Sequence, residues 1–296
     1  MVEGPLHTEK KRVPRNAPMR ETGIIFERII MDISEFTTSN IPSMIYSTYK
    51  NTPPRQHLGA SIIGKACLRE IWYSFRWAKS TLFECRMLRL FEAGNAFEDR
   101  ICRELESIGI KITGRQDRVT IGPHFSGSID GIGEGFQESK KPHLLEFKTH
   151  NQKSFDLLEK DGVAKAKPEH LVQMNTYMGA LGMDRAYYIA ENKNTSELHA
   201  ERVHFDNDLF YATKLKASEV VFSGVPCDRI SENPAAFACK WCSYKAVCHG
   251  AEKMDVSCRT CHSVLVTDEA FTCTKHGGAI PVDFQRLACV DYTGIV

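Results

Sequence analysis

The sequence predicts an α/β fold in which a mixed central sheet is flanked by helices. Segments of helical period and segments of strand period follow one another as helix, three strands, helix, two strands and a further helix, an order that suits such a layered arrangement. The run Leu144-Leu145-Glu146-Phe147-Lys148 alternates side chains as a sheet strand does, with Leu145 and Phe147 on one face and Glu146 and Lys148 on the other. At 296 residues and 42% hydrophobic content, the chain can bury one sizeable core and still carry appendages.

Residues 1–57 read as an N-terminal extension. Lys10, Lys11, Arg12 and Arg15 lie among Pro5, Pro14 and Pro18, so residues 1–23 are expected to be flexible, and residues 24–57 hold short apolar pieces broken by Pro42, Pro53 and Pro54. Residues 58–80 read as one helix. It carries Lys65, Arg69, Arg76 and Lys79 interleaved with Trp72, Tyr73, Phe75 and Trp77. Cations among aromatics suit single-stranded nucleic acid, and the same aromatics would equally pack the helix around Cys67.

A long helix follows over residues 87–108. At 100° per residue, Met87, Phe91, Gly94, Ile101, Leu105 and Ile108 cluster on the side of Glu98, the one charge in that stripe. A buried carboxylate must be protonated, paired or metal-bound. Strands are expected near 118–122, 127–133 and 144–148, so that Asp130 approaches Glu146 and Lys148 from the preceding strand. Two carboxylates beside a lysine can hold a hard divalent cation and orient a water; the pattern also fits an amphipathic strand with a surface ion pair. Pro168 opens a helix that places His170, Gln173 and Tyr177 on one face and Leu171, Met174, Met178 and Leu181 on the adjacent one. Strands near 186–191 and 198–205 and a helix over 208–222 complete the core.

Eleven cysteines is an odd number, the basic opening contains no apolar core of a signal peptide, and no apolar run reaches membrane-spanning length. These features predict an intracellular protein, cytoplasmic in a bacterium or phage-infected cell, with no membrane partner. Grouped cysteines then read as metal ligands rather than disulfides. Cys239, Cys242 and Cys248 form CxxCx5C, one ligand short of a tetrahedral set. Cys258, Cys261, Cys273 and His276 form CxxC-x11-CxxH, a complete set for a small zinc ribbon over residues 251–296, with Cys289 able to replace His276. Cys85, Cys102, Cys227 and Cys289 are otherwise expected to be free buried thiols.

Three strings together resemble the PD-(D/E)XK nuclease superfamily: Asp130 with Glu146-Phe147-Lys148, the Gln173-to-Tyr177 QxxxY pattern of its RecB-like branch, and the segment around Cys67 with the distant CxxCx5C of its iron–sulfur members, the AddB-type exonucleases and CRISPR-adaptation nucleases. The resemblance spans about residues 61–248 and implies a restriction-endonuclease-like core over residues 58–250. One departure is that Glu98 stands four residues after Gly94, where the RecB-like branch usually has histidine; this is similar to lambda-type exonucleases. The resemblance implies Mg²⁺ or Mn²⁺ at Glu98, Asp130, Glu146 and the Phe147 carbonyl, with Lys148, Gln173 and Tyr177 completing catalysis. It also implies a [4Fe–4S] cluster on Cys67, Cys239, Cys242 and Cys248, for which zinc is the alternative. The implied activity is metal-dependent DNA hydrolysis leaving 5′-phosphates, first as an exonuclease on DNA ends in recombination, repair or replication, with a helicase or recombination partner. A structure-specific endonuclease and a non-catalytic DNA-binding subunit are the alternatives. Net charge is +1, so any DNA-binding surface must be local.

Overall fold

The computed structural model describes residues 40–80 and 82–295. The expectations for residues 1–39, including the basic opening, lie outside the described residues. Contacts divide the chain after Ile45, and the fold described here is that of the part from Tyr46 onward. A short helix, α1 (Ile41–Ser47), spans the division and buries none of its side chains.

From there the chain runs through β1 (Leu58–Gly59), α2 (Ala60–Ile63), α3 (Leu68–Phe75), α4 (Cys85–Ser107), β2 (Lys111–Thr113), β3 (Arg118–Gly122), β4 (Phe125–Ser128), β5 (Gly131–Glu134) and β6 (His143–His150). It continues through α5 (Gln152–Ala166), α6 (Pro168–Leu181), β7 (Arg185–Asn192), β8 (Leu198–His204), α7 (Asn207–Phe222), α8 (Lys245–Cys248), β9 (Val264–Val266), β10 (Phe271–Cys273) and β11 (Gly278–Ala279).

The principal sheet has the strand order β2-β5-β6-β7-β8. Only β6 and β7 run parallel, and α5 and α6 form the crossover that parallel neighbours require. On one face of the sheet, Phe97, Ile101 and Leu105 of α4 pack on Leu145, Phe147, Tyr187 and Ile189. On the other, Leu144, Ala186, Tyr188 and Ala190 meet Phe155 and Leu158 of α5 and Met174, Tyr177 and Met178 of α6. A strand covered on both faces is apolar on both, and β6 is, except at its polar row beginning with Glu146.

Three expectations are corrected. Residues 58–80 are not one helix but β1, α2 and α3, because α2 crosses α6 so closely that a Cβ on Gly64 would come within 2.6 Å of the Glu169 Cα. The expected strand over 127–133 is two strands in different sheets: β4 pairs with β1 and β3, and β5 joins the principal sheet. Asp130 sits in the bend between them. Finally, the sequence pattern predicts no element over 111–113 or 152–166, where the chain forms β2 and α5; α5 is broken by Gly162 at φ 70° and buries only Phe155, Leu158 and Val163.

The C-terminal segment does not stand apart from this core. Val264, Val266 and Phe271 of the β9-β10-β11 sheet join the main hydrophobic cluster, and the Phe271 ring lies 5.4 Å from that of Phe75. Arg259 is buried there. Its guanidinium lies 3.6 Å from the Trp77 ring centre and donates to the carbonyls of Phe75 and Gln56 and to the Gln285 side chain.

Candidate metal centre

Alternation in β6 points Glu146 and Lys148 to the α6 side of the sheet. The bend after β4 brings in Asp130, whose Oδ2 accepts the Phe147 N–H at 2.7 Å. The Lys148 ammonium binds Glu146 Oε1, donates to the Phe147 carbonyl at 3.0 Å and stands 4.0 Å from Asp130 Oδ2. Burial alone would lower the lysine pKa, but the carboxylates of Glu146 and Asp130 outweigh it and hold the side chain cationic. Glu146 is fully enclosed, and burial pushes its carboxyl up while Lys148 pulls it back. Its second oxygen, Oε2, is buried with no hydrogen-bond partner. An orphaned acceptor of this kind costs on the order of 1–3 kcal/mol, and a cation would satisfy it.

Glu98 reaches the same site from α4. Burial, and then the charge of Asp130, push its carboxyl up to about 7 against the pull of Lys148 and Arg115. Its place in the helix differs from the expected stripe. The buried face is Phe97, Ile101, Cys102 and Leu105, while Phe91 and Ile108 are exposed, so Glu98 lies at the edge of the packed face. Gln116 holds it there, donating to Oε2 at 3.1 Å. Gln116 sits at φ 59° in the loop between β2 and β3, a left-handed conformation uncommon for a non-glycine residue. The sequence offered no sign of this role.

Gln173 and Tyr177 line the wall behind the carboxylates. Both are buried, so neither can grip a DNA strand from the surface. Burial raises the Tyr177 pKa, with Glu146 and Asp130 adding to it and the Gln173 hydrogen bond opposing, so the phenol stays protonated. Gly127 is required there, because a Cβ would lie 2.2 Å from the Tyr177 hydroxyl oxygen. His170 serves a different group. Its Nδ1 and the Nε2 of His150 each lie 2.8 Å from the Tyr188 hydroxyl, one strand over from Glu146. His150 follows Lys148 on the same face, and the period of two could have found it.

Comparison with known proteins adds likeness at low identity. No family model and no curated protein matches the chain. Among solved structures, an alkaline exonuclease (LHK-Exo) from Laribacter hongkongensis is 16% identical with a TM-score of 0.42, over 60% of this chain and 90% of that one. A phage-related exonuclease from Haemophilus somnus 129PT is 14% identical with a TM-score of 0.40, over 60% and 94%. A protein named SSO0001 is 10% identical with a TM-score of 0.44, over 72% and 98%. Any functional reading therefore has to stand on the geometry of the site itself.

Cys67, Cys239, Cys242 and Cys248 come together around one cavity, although they lie at opposite ends of the folded core in sequence. Cys67 precedes α3, and α3 is fastened to the segment after α7 by Arg69 donating to the Cys227 carbonyl and Trp72 Nε1 to that of Ser223. The same cavity is lined by Arg229 and His249, whose Nε and Nε2 atoms respectively are buried without hydrogen-bond partners. The Arg229 guanidinium beside the Cys248 thiol suits an anionic sulfur-ligated centre.

A second cavity gathers Cys258, Cys261, Cys273, His276 and Cys289. Cys289 is exposed and lies 3.5 Å from His276 Nε2, and Cys85 is only partly covered, so neither is the buried thiol expected; Cys102 and Cys227 are buried.

The residues expected to contact DNA are corrected most clearly at Arg76. It is wholly enclosed and cannot reach a phosphate. Lys65 pairs with Glu70, and Lys79 with Glu252 and Asp255. Trp72, Tyr73, Phe75 and Trp77 are all buried. None of the three Arg76 guanidinium nitrogens has a hydrogen-bond partner; the group lies 5.2 Å from the Trp72 ring centre, and burial pushes its pKa down to about 10. Burial, and then the charge of Arg76, also lower the pKa of Arg259. Arg76→Met is therefore expected to raise stability by about 1–3 kcal/mol, because a buried cation without a partner is replaced by an apolar chain of similar length. Denaturant unfolding checks this, and a lower midpoint in the variant would show that the ring contacts outweigh the desolvation. DNA affinity should not change.

Proposed function

We propose that the protein is a divalent-metal-dependent DNA nuclease that hydrolyses phosphodiester bonds, acting as an exonuclease on DNA ends. One observation carries the reading: a lysine locked between two carboxylates, one of them fully buried with an oxygen that no described residue hydrogen-bonds, and a third carboxylate of raised pKa beside them. The donor set is all oxygen, which suits Mg²⁺ or Mn²⁺. Glu98, Asp130, Glu146 and the Phe147 carbonyl would hold the ion, which when bound acts as a Lewis acid toward the phosphate and lowers the pKa of water.

The chain's own groups do the remaining work. The Lys148 ammonium, kept protonated by its neighbours, donates toward attacking water or toward charge gathering on the phosphate. Asp130 is aimed by the Phe147 N–H, so its orientation is fixed by the strand that carries Glu146. Gln116 fixes Glu98, and protonated Tyr177 with Gln173 closes the rear wall. We likewise propose a [4Fe–4S] cluster at Cys67, Cys239, Cys242 and Cys248 as a staple between the two ends of the core, which is the feature shared with the iron–sulfur branch of the resembling superfamily.

The test is digestion of end-labelled linear and of circular DNA, single- and double-stranded, with Mg²⁺ or Mn²⁺. Loss of label from linear DNA with circular DNA spared is the expected result. Cleavage of circles would replace the exonuclease reading with an endonuclease, and no cleavage of any substrate by pure protein would remove the enzyme reading.

The raised pKa of Glu98 gives a further expectation for metal-free protein. Its folded value of about 7 lies above the ordinary 4.5, so its contribution to stability is fully present below about 4.5 and is lost as pH rises through 7. Glu146 shifts in the same direction. Metal should therefore raise the melting temperature more at about pH 8 than at about pH 5, and Glu98→Gln should shrink that difference. Melts of both proteins with and without Mn²⁺ decide it; an undiminished difference in the variant would place Glu98 outside the metal site.

A further inference from the structure

The C-terminal cavity gathers four cysteines and His276 where a structural zinc takes four ligands, and Asp291 stands beside them, the ligand atoms of His276, Cys289 and Asp291 lying within 4.8 Å of one another. Residues 287–295 are laid along the first knuckle by a run of backbone contacts. The Cys258 N–H donates to the Leu287 carbonyl at 2.7 Å, the His262 N–H to Thr293 at 2.7 Å and the Ile295 N–H to Thr260 at 3.0 Å, and Cys261 bridges to Gly294. This pairing brings the segment that carries Cys289 alongside Cys258 and Cys261, and all three line the same cavity. Cys273 arrives on β10, its sulfur accepting the His276 N–H at 3.4 Å. The His276 ring is half exposed and already engaged: Nε2 lies 3.5 Å from Cys289 Sγ and 3.5 Å from Asp291 Oδ2.

We propose that this cavity is a zinc site of four thiolates, Cys258, Cys261, Cys273 and Cys289, with His276 outside the ligand set, its Nε2 shared between the Cys289 sulfur and the Asp291 carboxylate. The arrangement follows the general habit of metal sites, in which groups beyond the ligands fix and tune them. Thiolate ligands suit zinc, and Lys275, paired to Asp291 at 2.8 Å, adds positive charge beside the set. The site ties three separate stretches, the 258–261 knuckle, the β10 end and the 287–295 segment, and it is independent of the nuclease reading.

Zinc per chain is measured on the purified full-length protein and on His276→Ala and Cys289→Ser. Because each variant is compared with the parent, metal held by the other cysteine cavity cancels. Cys289→Ser should lose one zinc per chain and His276→Ala none. Loss in His276→Ala with retention in Cys289→Ser, retention in both, or a parent that binds no zinc overturns the proposal. If both variants lose zinc, X-ray absorption at the zinc edge of the unaltered protein decides. Sulfur scatterers alone, at about 2.3 Å, support the proposal, and a nitrogen at about 2.0–2.1 Å overturns it.

Discussion

Lys148→Ala should leave a folded protein that still binds DNA but has lost cleavage by on the order of 10³-fold, the loss typical when a group poised for the transition state is removed. Among the described residues the polar partners of the ammonium are Glu146, Asp130 and the Phe147 carbonyl, all within the site itself. Its removal does strip a buried carboxylate of its partner. Glu146 is already pushed toward its neutral form, and without Lys148 it would go further in that direction or rely wholly on metal. The measurement therefore belongs in saturating Mg²⁺ or Mn²⁺, with Lys148→Met as the variant that keeps the shape of the stem. Cleavage within about tenfold of the parent by clean preparations of both variants would remove Lys148 from the chemistry.

Purified without oxygen, the protein should be brown and carry about four iron atoms per chain. Cys242→Ala should lose colour and solubility together. The four cysteines join the start of α3 to the stretch that follows α7, so loss of the centre would release contacts made far apart in sequence, and binding energy at such a site is folding energy. Colourless protein holding zinc and no iron would make the centre a four-thiolate zinc site and leave the nuclease reading in place.

The residues that were legible in the sequence are those whose chemistry conflicts with their position. Glu146 and Lys148 interrupt an otherwise apolar strand and Glu98 stands among apolar helix positions; each conflict points to the candidate site. The expected stripe and the buried face share Ile101 and Leu105 but part at Phe91 and Ile108, which are exposed, and at Phe97 and Cys102, which are buried, because helical period fixes a face only to within a residue or so and the sheet settles it through Leu145 and Phe147. Helix α5 escaped notice because its three buried residues are spread among charges and interrupted by Gly162. Arg76 misled for the opposite reason. Its neighbours look like a cationic aromatic surface in composition, and only tertiary packing shows that the rings and the guanidinium face inward. Cys289 was legible as an alternative to His276, but spacing could not choose between them; backbone contacts from residues 287–295 bring it beside the knuckle.

Arg259 bears on what can be inherited or exchanged as a unit. It comes from the segment that reads as an appendage, yet its hydrogen bonds satisfy carbonyls at Phe75 and Gln56 and its plane covers Trp77. Deleting residues 251–296, or replacing them with an unrelated tail, would uncover those rings and orphan those carbonyls, and would take away the Phe271 ring that packs on Phe75. The two sides of residue 250 are thus bound to vary together: a lineage could alter the second cysteine site in place, but shedding or trading it would require rebuilding the end of α3 in the same step.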